Sequence, residues 1–92
     1  MLWVICYDIS DDRRRRQVIK LLRSYGYRVQ ESVFHCLLRN PADVEILLKN
    51  LRQVINEGQD LCHMYRLAPI AAERFYQLGA CQYQEPAQVV VC

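Results

Sequence analysis

The chain opens with an uninterrupted apolar run, Met1 to Tyr7, rich in residues favoured in β-strands. A polar turn follows at once, so the pattern predicts a central strand that ends at Asp8. A helix is predicted next, because apolar residues recur at helical spacing. They are Val18, Leu21, Leu22 and Tyr25. Three polar residues can cap its start, namely Ser10, Asp11 and Asp12. Gly26 lies where this helix is expected to stop.

Residues 27–38 are rich in β-branched, aromatic and apolar side chains, with a polar break at 30–32. This pattern predicts two short strands joined by a tight connection. Asn40 followed by Pro41 is typical of a helix start, with an N-cap and then proline at the first helical position. The apolar stripe of this second helix is Val44, Leu47, Leu48, Leu51 and Ile55. Gly58 comes after it.

The order of elements, β-α-β-β-α-β, predicts an α+β, ferredoxin-like domain with a four-stranded antiparallel sheet. Its fourth strand is Leu61 to Leu67, and residues 69–78 are expected to form a loop or short helical turn. Gln88 to Cys92 predicts an extra C-terminal strand. With 92 residues the chain holds one domain, 1–92, divided into a core at 1–78 and a C-terminal segment at 79–92.

The first predicted strand is apolar on both of its faces. Leu2, Val4 and Cys6 lie on one face, and Trp3, Ile5 and Tyr7 lie on the other. In this fold both helices cover one face of the sheet, so the second face needs another cover. A second copy, packed sheet to sheet and pairing with the terminal strand of its partner, would supply it. The pattern therefore predicts a homodimer, and either face of the strand could meet the partner.

Composition excludes several classes of protein. No apolar run approaches the roughly 20 residues that span a bilayer, so no membrane association is expected. The five cysteines show no CxxC spacing, and no signal sequence is visible, which indicates a reducing, cytoplasmic location. The net charge is only +2, so any nucleic-acid surface must be local. P-loop, GxSxG and HExxH motifs are absent, as is the signature of RNA-recognition modules.

Four consecutive arginines begin the first helix, at the end where the helix dipole favours acidic residues. At about 100° per residue, four cations share one sector nearly opposite the apolar stripe. We call this set the basic ridge; it consists of Arg13, Arg16, Lys20 and Arg23. Together with the free N–H groups of the helix start it suits phosphate oxygens, and Arg28 could extend it. The alternative is a solvated face balanced by nearby acidic side chains.

Asp8 directly follows a buried strand and precedes the basic helix start. A carboxylate there could hold Mg²⁺ or Mn²⁺ against a phosphate, and a two-fold dimer would bring two such carboxylates to a shared site. An ordinary turn or capping aspartate is the alternative. The pairs His35-Cys36 and Cys62-His63 match no zinc spacing, so the cysteines are interpreted as core residues and no metal ligand is assigned to them.

Three motifs occur together at fixed spacing: Tyr7-Asp8-Ile9 with Asp11-Asp12-Arg13-Arg14, then Tyr25-Gly26-Tyr27-Arg28-Val29-Gln30, then Ser32-Val33-Phe34. Over residues 1–67 the chain resembles the Cas-two family of CRISPR-associated proteins. The resemblance implies a homodimer that joins the CRISPR integrase subunit in capturing foreign DNA as new spacers. It also implies metal-dependent endonuclease cleavage of single-stranded RNA or double-stranded DNA, with Asp8 as catalytic residue and ligand of Mg²⁺ or Mn²⁺.

The resemblance implies further site residues. The nucleic-acid contacts are Arg13, Arg14, Arg15, Arg16 and Arg28, and the supporting residues are Tyr7 and Phe34. One departure stands out, because His35 occupies a position that is usually acidic in the family. A neutral or positive histidine would favour phosphate over Mg²⁺.

Three interpretations of function follow. The first is an adaptation scaffold that also has nuclease activity through Asp8. The second is a scaffold that breaks no bond. The third is a toxin-type messenger-RNA interferase of the virulence-associated protein D kind, which resembles the family in fold.

Overall fold

A computed structural model describes residues 1–70, 74 and 76–79. The elements follow in the predicted order: β1 (Leu2–Asp8), α1 (Asp12–Arg23), β2 (Gly26–Gln30), β3 (Val33–Leu37), α2 (Pro41–Val54) and β4 (Leu61–Leu67). The strands form one antiparallel sheet in the order β2-β3-β1-β4. The predicted α+β, ferredoxin-like fold is confirmed. The terminal strand predicted at 88–92, and the rest of the C-terminal segment after Gly79, lie outside the described residues.

Both helices pack on one face of the sheet. β1 and β3 are its central strands, and Ile5 and Phe34, which are direct partners in their ladder, are fully buried beneath the helices. Val18 and Leu22 of α1 and Leu47 of α2 are likewise fully buried against them. Asp11 caps α1 by accepting a hydrogen bond from the Arg14 amide at 2.9 Å, and Asn40 caps α2 in the same way through Asp43. Residues of both predicted apolar stripes are therefore part of the core, together with residues of the strands.

Gly26 does not stop α1, contrary to the sequence prediction. The helix ends at Arg23 with Ser24 as its C-cap, and Gly26 is the first residue of β2. A Cβ atom at Gly26 would lie 1.9 Å from the carbonyl oxygen of His35. The glycine is needed because two strands approach closely there, rather than for a left-handed backbone.

The second face of the sheet is not covered by the helices, and we call it the open face. Residues directly opposite each other in an antiparallel ladder point to the same side, which places Leu37 and Tyr65 beside the half-buried β1 residues of this face. Those β1 residues are Leu2, Val4 and Cys6. Leu37, Leu61 and Tyr65 remain 50%, 54% and 53% exposed. The open face is thus the broad apolar surface that the sequence predicts, and it is the side of β1 that carries Val4.

Three cysteines of the described part of the chain, Cys6, Cys36 and Cys62, are free thiols. Burial raises the pKa of Cys36 to about 12 and that of Cys62 to about 11, so both stay protonated near neutral pH. No helix among the described residues is both long and apolar enough to cross a membrane.

Candidate nucleic-acid interface and acidic site

Asp8 is the last residue of β1 and its side chain is exposed. Strand alternation directs Tyr7 toward the helices, so Asp8 lies on the open face, opposite Leu61 of β4. Beside it is a cavity of about 500 Å³, whose lining includes Arg15 and Glu31. The structure thus brings a carboxylate, a guanidinium and a second acidic residue to one rim of the sheet. We call this place the Asp8 site.

Tyr7 and Phe34, the predicted supporting residues, lie beneath this rim. The Tyr7 hydroxyl donates a hydrogen bond to the Glu31 carbonyl oxygen at 2.9 Å, and the ring packs on Phe34 with centroids 6.2 Å apart. Burial raises the pKa of Tyr7, although the Arg28 guanidinium beside the hydroxyl opposes the shift. The phenol therefore stays protonated and anchors the β2–β3 turn to the end of β1.

Arg15 folds back over the β1–α1 loop instead of extending into solvent. One of its nitrogens, Nη2, donates to the Ile9 carbonyl oxygen at 2.8 Å, and Nη1 pairs with the Asp12 carboxylate. These contacts hold the guanidinium at the wall of the Asp8 cavity. Its role as a nucleic-acid contact stays a prediction, and its position favours contact near Asp8 rather than along the helix.

Arg14 is also engaged within the chain. Its Nε lies 2.7 Å from Oδ2 of Asp60, whose side chain is fully buried just before β4. The sequence predicts Arg14 to contact nucleic acid, but in the structure its guanidinium is turned toward this carboxylate. Nothing in the sequence pattern links the two residues, because they lie 46 positions apart.

The basic ridge borders a groove between α1 and the edge strand β2. A cavity of about 410 Å³ there is lined by Arg16, Ile19, Lys20, Arg23 and Arg28. Three of the four ridge residues and Arg28 therefore lie around one concavity. Arg13 is exposed one turn earlier on α1. Four cations around one groove form a surface suited to a phosphate backbone.

His35 is buried on the open face against Tyr27, with ring centroids 5.9 Å apart. Burial lowers the pKa of His35, so the neutral imidazole predominates near pH 7. The sequence leaves open whether His35 is neutral or positively charged, and its burial in the structure favours the neutral form.

Within the described part of the chain, the Asp8 site has too few acidic side chains to enclose a divalent cation by itself. The described residues contain no group of three or more His, Cys, Asp or Glu side chains able to enclose a metal ion. Asp8 and Glu31, however, line one cavity. Mg²⁺ keeps several waters and is commonly held by one or two carboxylates together with substrate phosphates. The residues present therefore fit an ion bound jointly with a nucleic acid. The sequence pattern does not predict a role for Glu31 at this site.

The chain is similar in sequence to known proteins. The sequence profile of a family described as CRISPR associated protein Cas2 matches residues 1–74. A Chloroflexus aurantiacus protein named CRISPR-associated endoribonuclease Cas2 3 is 47% identical over 81 residues, which cover 86% of each chain.

Solved structures are similar as well. The crystal structure of Streptococcus pyogenes Cas2 at pH 6.5 has a TM-score of 0.77 and 34% identity, covering 86% of this chain and 100% of that one. A chain in a partial Cas6-RT-Cas1–Cas2 complex has a TM-score of 0.74 and 26% identity, covering 84% of this chain and 89% of that one.

Proposed function

The chain belongs to the Cas2 family of CRISPR-associated proteins, and from this premise we propose that it is a CRISPR adaptation protein. Its homodimer holds prespacer DNA and docks the CRISPR integrase subunit. The observation that carries the proposal is the groove in which Arg16, Lys20, Arg23 and Arg28 converge. The similarity to a chain of a Cas1–Cas2 complex supports the integrase as a partner.

The groove determines the kind of contact that is proposed. Its charged groups are all cations, carried by a helix face and a neighbouring strand edge, and they hold phosphates without reading base edges. A dimer joined through the open faces would carry two such grooves, because each α1 lies on the outer side of its sheet. Two grooves on one particle suit a duplex that bridges the two protomers.

We propose nuclease activity at the Asp8 site as a second property. Its support is the exposed Asp8 carboxylate and the endoribonuclease name of the relative that is 47% identical. Asp8, with Glu31 on the same cavity, would hold Mg²⁺ or Mn²⁺, which when bound neutralises phosphate charge and acidifies water. Arg15 binds and orients a non-bridging phosphate oxygen at the cavity wall, and Tyr7 keeps the rim in place beneath it. The substrate is RNA or double-stranded DNA.

A crossed pair of variants tests both properties. Arg16→Gln with Lys20→Gln removes two cations of the groove, and Asp8→Asn removes the carboxylate. The first variant is expected to lower the log–log salt slope of duplex binding by about 0.9 for each lost phosphate contact. Asp8→Asn is expected to abolish Mn²⁺-dependent cleavage and leave that slope unchanged. Filter binding across a salt series and cleavage of labelled RNA and duplex DNA measure the two effects.

The matched control is Lys49→Gln with Arg52→Gln, which removes two exposed cations from α2, away from the groove. It is expected to change neither quantity. An equal loss of slope in this control would contradict the groove as the binding surface. Cleavage that survives Asp8→Asn would remove Asp8 from the reaction. The family model and the similar Streptococcus pyogenes structure are both of Cas2 proteins, so the toxin-type interferase is not favoured.

A further inference from the structure

Asp60 is a hydrogen-bonding centre outside the surfaces described so far. Its fully buried carboxylate accepts from the Ser10 amide and hydroxyl at 3.1 Å each, and from Arg14 Nε at 2.7 Å and Nη2 at 3.2 Å. It also accepts from the Asn56 amide at 2.9 Å. One side chain thereby joins the β1–α1 loop, the first turn of α1 and the α2–β4 turn.

These hydrogen bonds lie immediately behind the Asp8 site. Leu61, the residue after Asp60, is the ladder partner of Asp8, and Ser10 follows Asp8 by two positions. Ile9 lies between Asp8 and Ser10, and its carbonyl oxygen accepts the hydrogen bond from Arg15. The path of residues 9–11 therefore sets where the Arg15 guanidinium stands relative to Asp8, and Asp60 fixes that path from the buried side.

We propose that Asp60 is a positioning residue for the Asp8 site. By binding Ser10 and Arg14 it holds the β1–α1 loop, and with it the Arg15 guanidinium, beside Asp8. Arg14 belongs to this clamp and does not contact nucleic acid. The inference rests on the nuclease activity proposed above, and it names a residue that touches neither the metal nor the phosphate.

Asp60→Asn tests the role, since it keeps the shape of the side chain but loses its charge and one acceptor oxygen. The rate constant kcat for Mn²⁺-dependent cleavage is expected to fall about tenfold or more, as is common when a group supporting a metal site is altered. KM is expected to stay within about twofold, because the basic ridge is untouched. Arg14→Gln is expected to act alike, and the double variant to be no worse than either single one.

A second readout separates positioning from stability. Hydrogen exchange of the amides at residues 9–11 is expected to accelerate in Asp60→Asn, at a temperature where circular dichroism shows every variant folded. Glu57→Gln, an exposed acid in the same α2–β4 turn, is the matched control and is expected to change neither kcat nor exchange. If Asp60→Asn cleaves at the wild-type kcat, or loses kcat without faster exchange of the loop, the inference is wrong while the proposed nuclease stands.

A wild-type protein that cleaves neither RNA nor duplex DNA would overturn the nuclease proposal and the positioning role together. In that case, duplex binding tests whether Arg14 contacts nucleic acid or only holds the β1–α1 loop. An Arg14→Gln salt slope equal to that of the wild type supports the clamp, and a slope lower by about 0.9 means that Arg14 neutralises a phosphate and contradicts it.

Discussion

The ionised carboxylate of Asp60 accepts hydrogen bonds from the Arg14 guanidinium, from the Ser10 amide and hydroxyl, and from the Asn56 amide. The Arg14 guanidinium, together with the amides of Asn56 and Ser10, holds the pKa of that carboxyl well below its ordinary value of 3.8. The unfolded chain therefore binds a proton at Asp60 more readily than the folded one. The stability that Asp60 contributes is present in full above about pH 4, and it is lost as pH falls through the folded pKa.

We expect Asp60→Asn to lower Tm near pH 7 by about 5 °C or more. The gap between the Tm values of wild type and variant should narrow as the pH falls from about 4 toward 2, because the unfolded wild-type chain then binds a proton at Asp60 that the folded chain does not. Thermal unfolding followed by circular dichroism at several pH values measures this. Glu57→Gln should keep the wild-type profile, and an Asp60→Asn gap that is constant with pH would contradict the argument.

Residue-scale prediction from the sequence succeeded where a local pattern decides the outcome. The burial of Val18 and Leu22 follows from helical spacing, and the opposite orientations of Tyr7 and Asp8 follow from strand alternation. The partner of Arg14 could not be found in this way. Asp60 is a single acidic residue before a strand, and only the assembled sheet brings it to the start of α1.

At the scale of elements, β2 approaches β3 closely at Gly26. A Cβ atom there would meet the His35 carbonyl oxygen at 1.9 Å and the Cys36 Cα atom at 2.7 Å, both of them backbone atoms. Neither can move without displacing a central strand of the sheet. The edge strand β2 carries Arg28 into the groove beside the basic ridge. It can pair this closely with β3 only because residue 26 has no Cβ atom.

Gly26→Ala is expected to lower the free energy of unfolding by about 2–3 kcal/mol, because the added carbon forces β2 away from β3. Urea denaturation measures the change. Gly58→Ala is the control, since its Cβ would meet only the Asn56 side-chain oxygen at 3.3 Å; its effect should stay within about 0.5 kcal/mol. Equal effects of the two substitutions would show that the close approach at β2 does not matter.

The elements themselves were predictable because each one carries its own periodicity and caps. Asn40 and Pro41 begin α2 as expected, and β4 has the predicted bounds Leu61–Leu67. The role of Gly26 was not predictable, because a glycine after a helix is common at helix ends. Whether it serves a cap or a close strand contact depends on tertiary structure.

At the scale of the whole molecule, the open face is the side of the sheet that the two helices do not cover. Val4 lies at its centre, between His35 of β3 and Tyr65 of β4. Exposed Leu37 and Leu61 extend the apolar surface away from it. The sequence indicates two apolar faces on β1 but does not distinguish them, because both sets of side chains are equally apolar. The packing of the helices on Ile5 and Tyr7 makes that distinction.

We expect the protein to sediment as a dimer, with twice the 10.9 kDa mass of one chain, at micromolar concentration. Val4→Lys should reduce the mass to that of one chain, since it places an ammonium group within a desolvated sheet interface. Ile46→Lys is the control; Ile46 is 51% exposed on α2, on the other side of the sheet. Dimers that persist in Val4→Lys, or a wild type that sediments as one chain, would contradict sheet-to-sheet packing.

Tyr7 and Asp8 are adjacent in sequence yet serve opposite sides of the sheet, one locked beneath the helices and the other facing outward. Inserting a single residue earlier in β1 would exchange their places, bringing a carboxylate into the interior and a phenol to the rim. Inserting two would preserve the sides and only slide both along the strand by roughly 7 Å. The part of β1 before Asp8 therefore tolerates a change in length only by an even number of residues, because an odd change would reverse the sides of Tyr7 and Asp8.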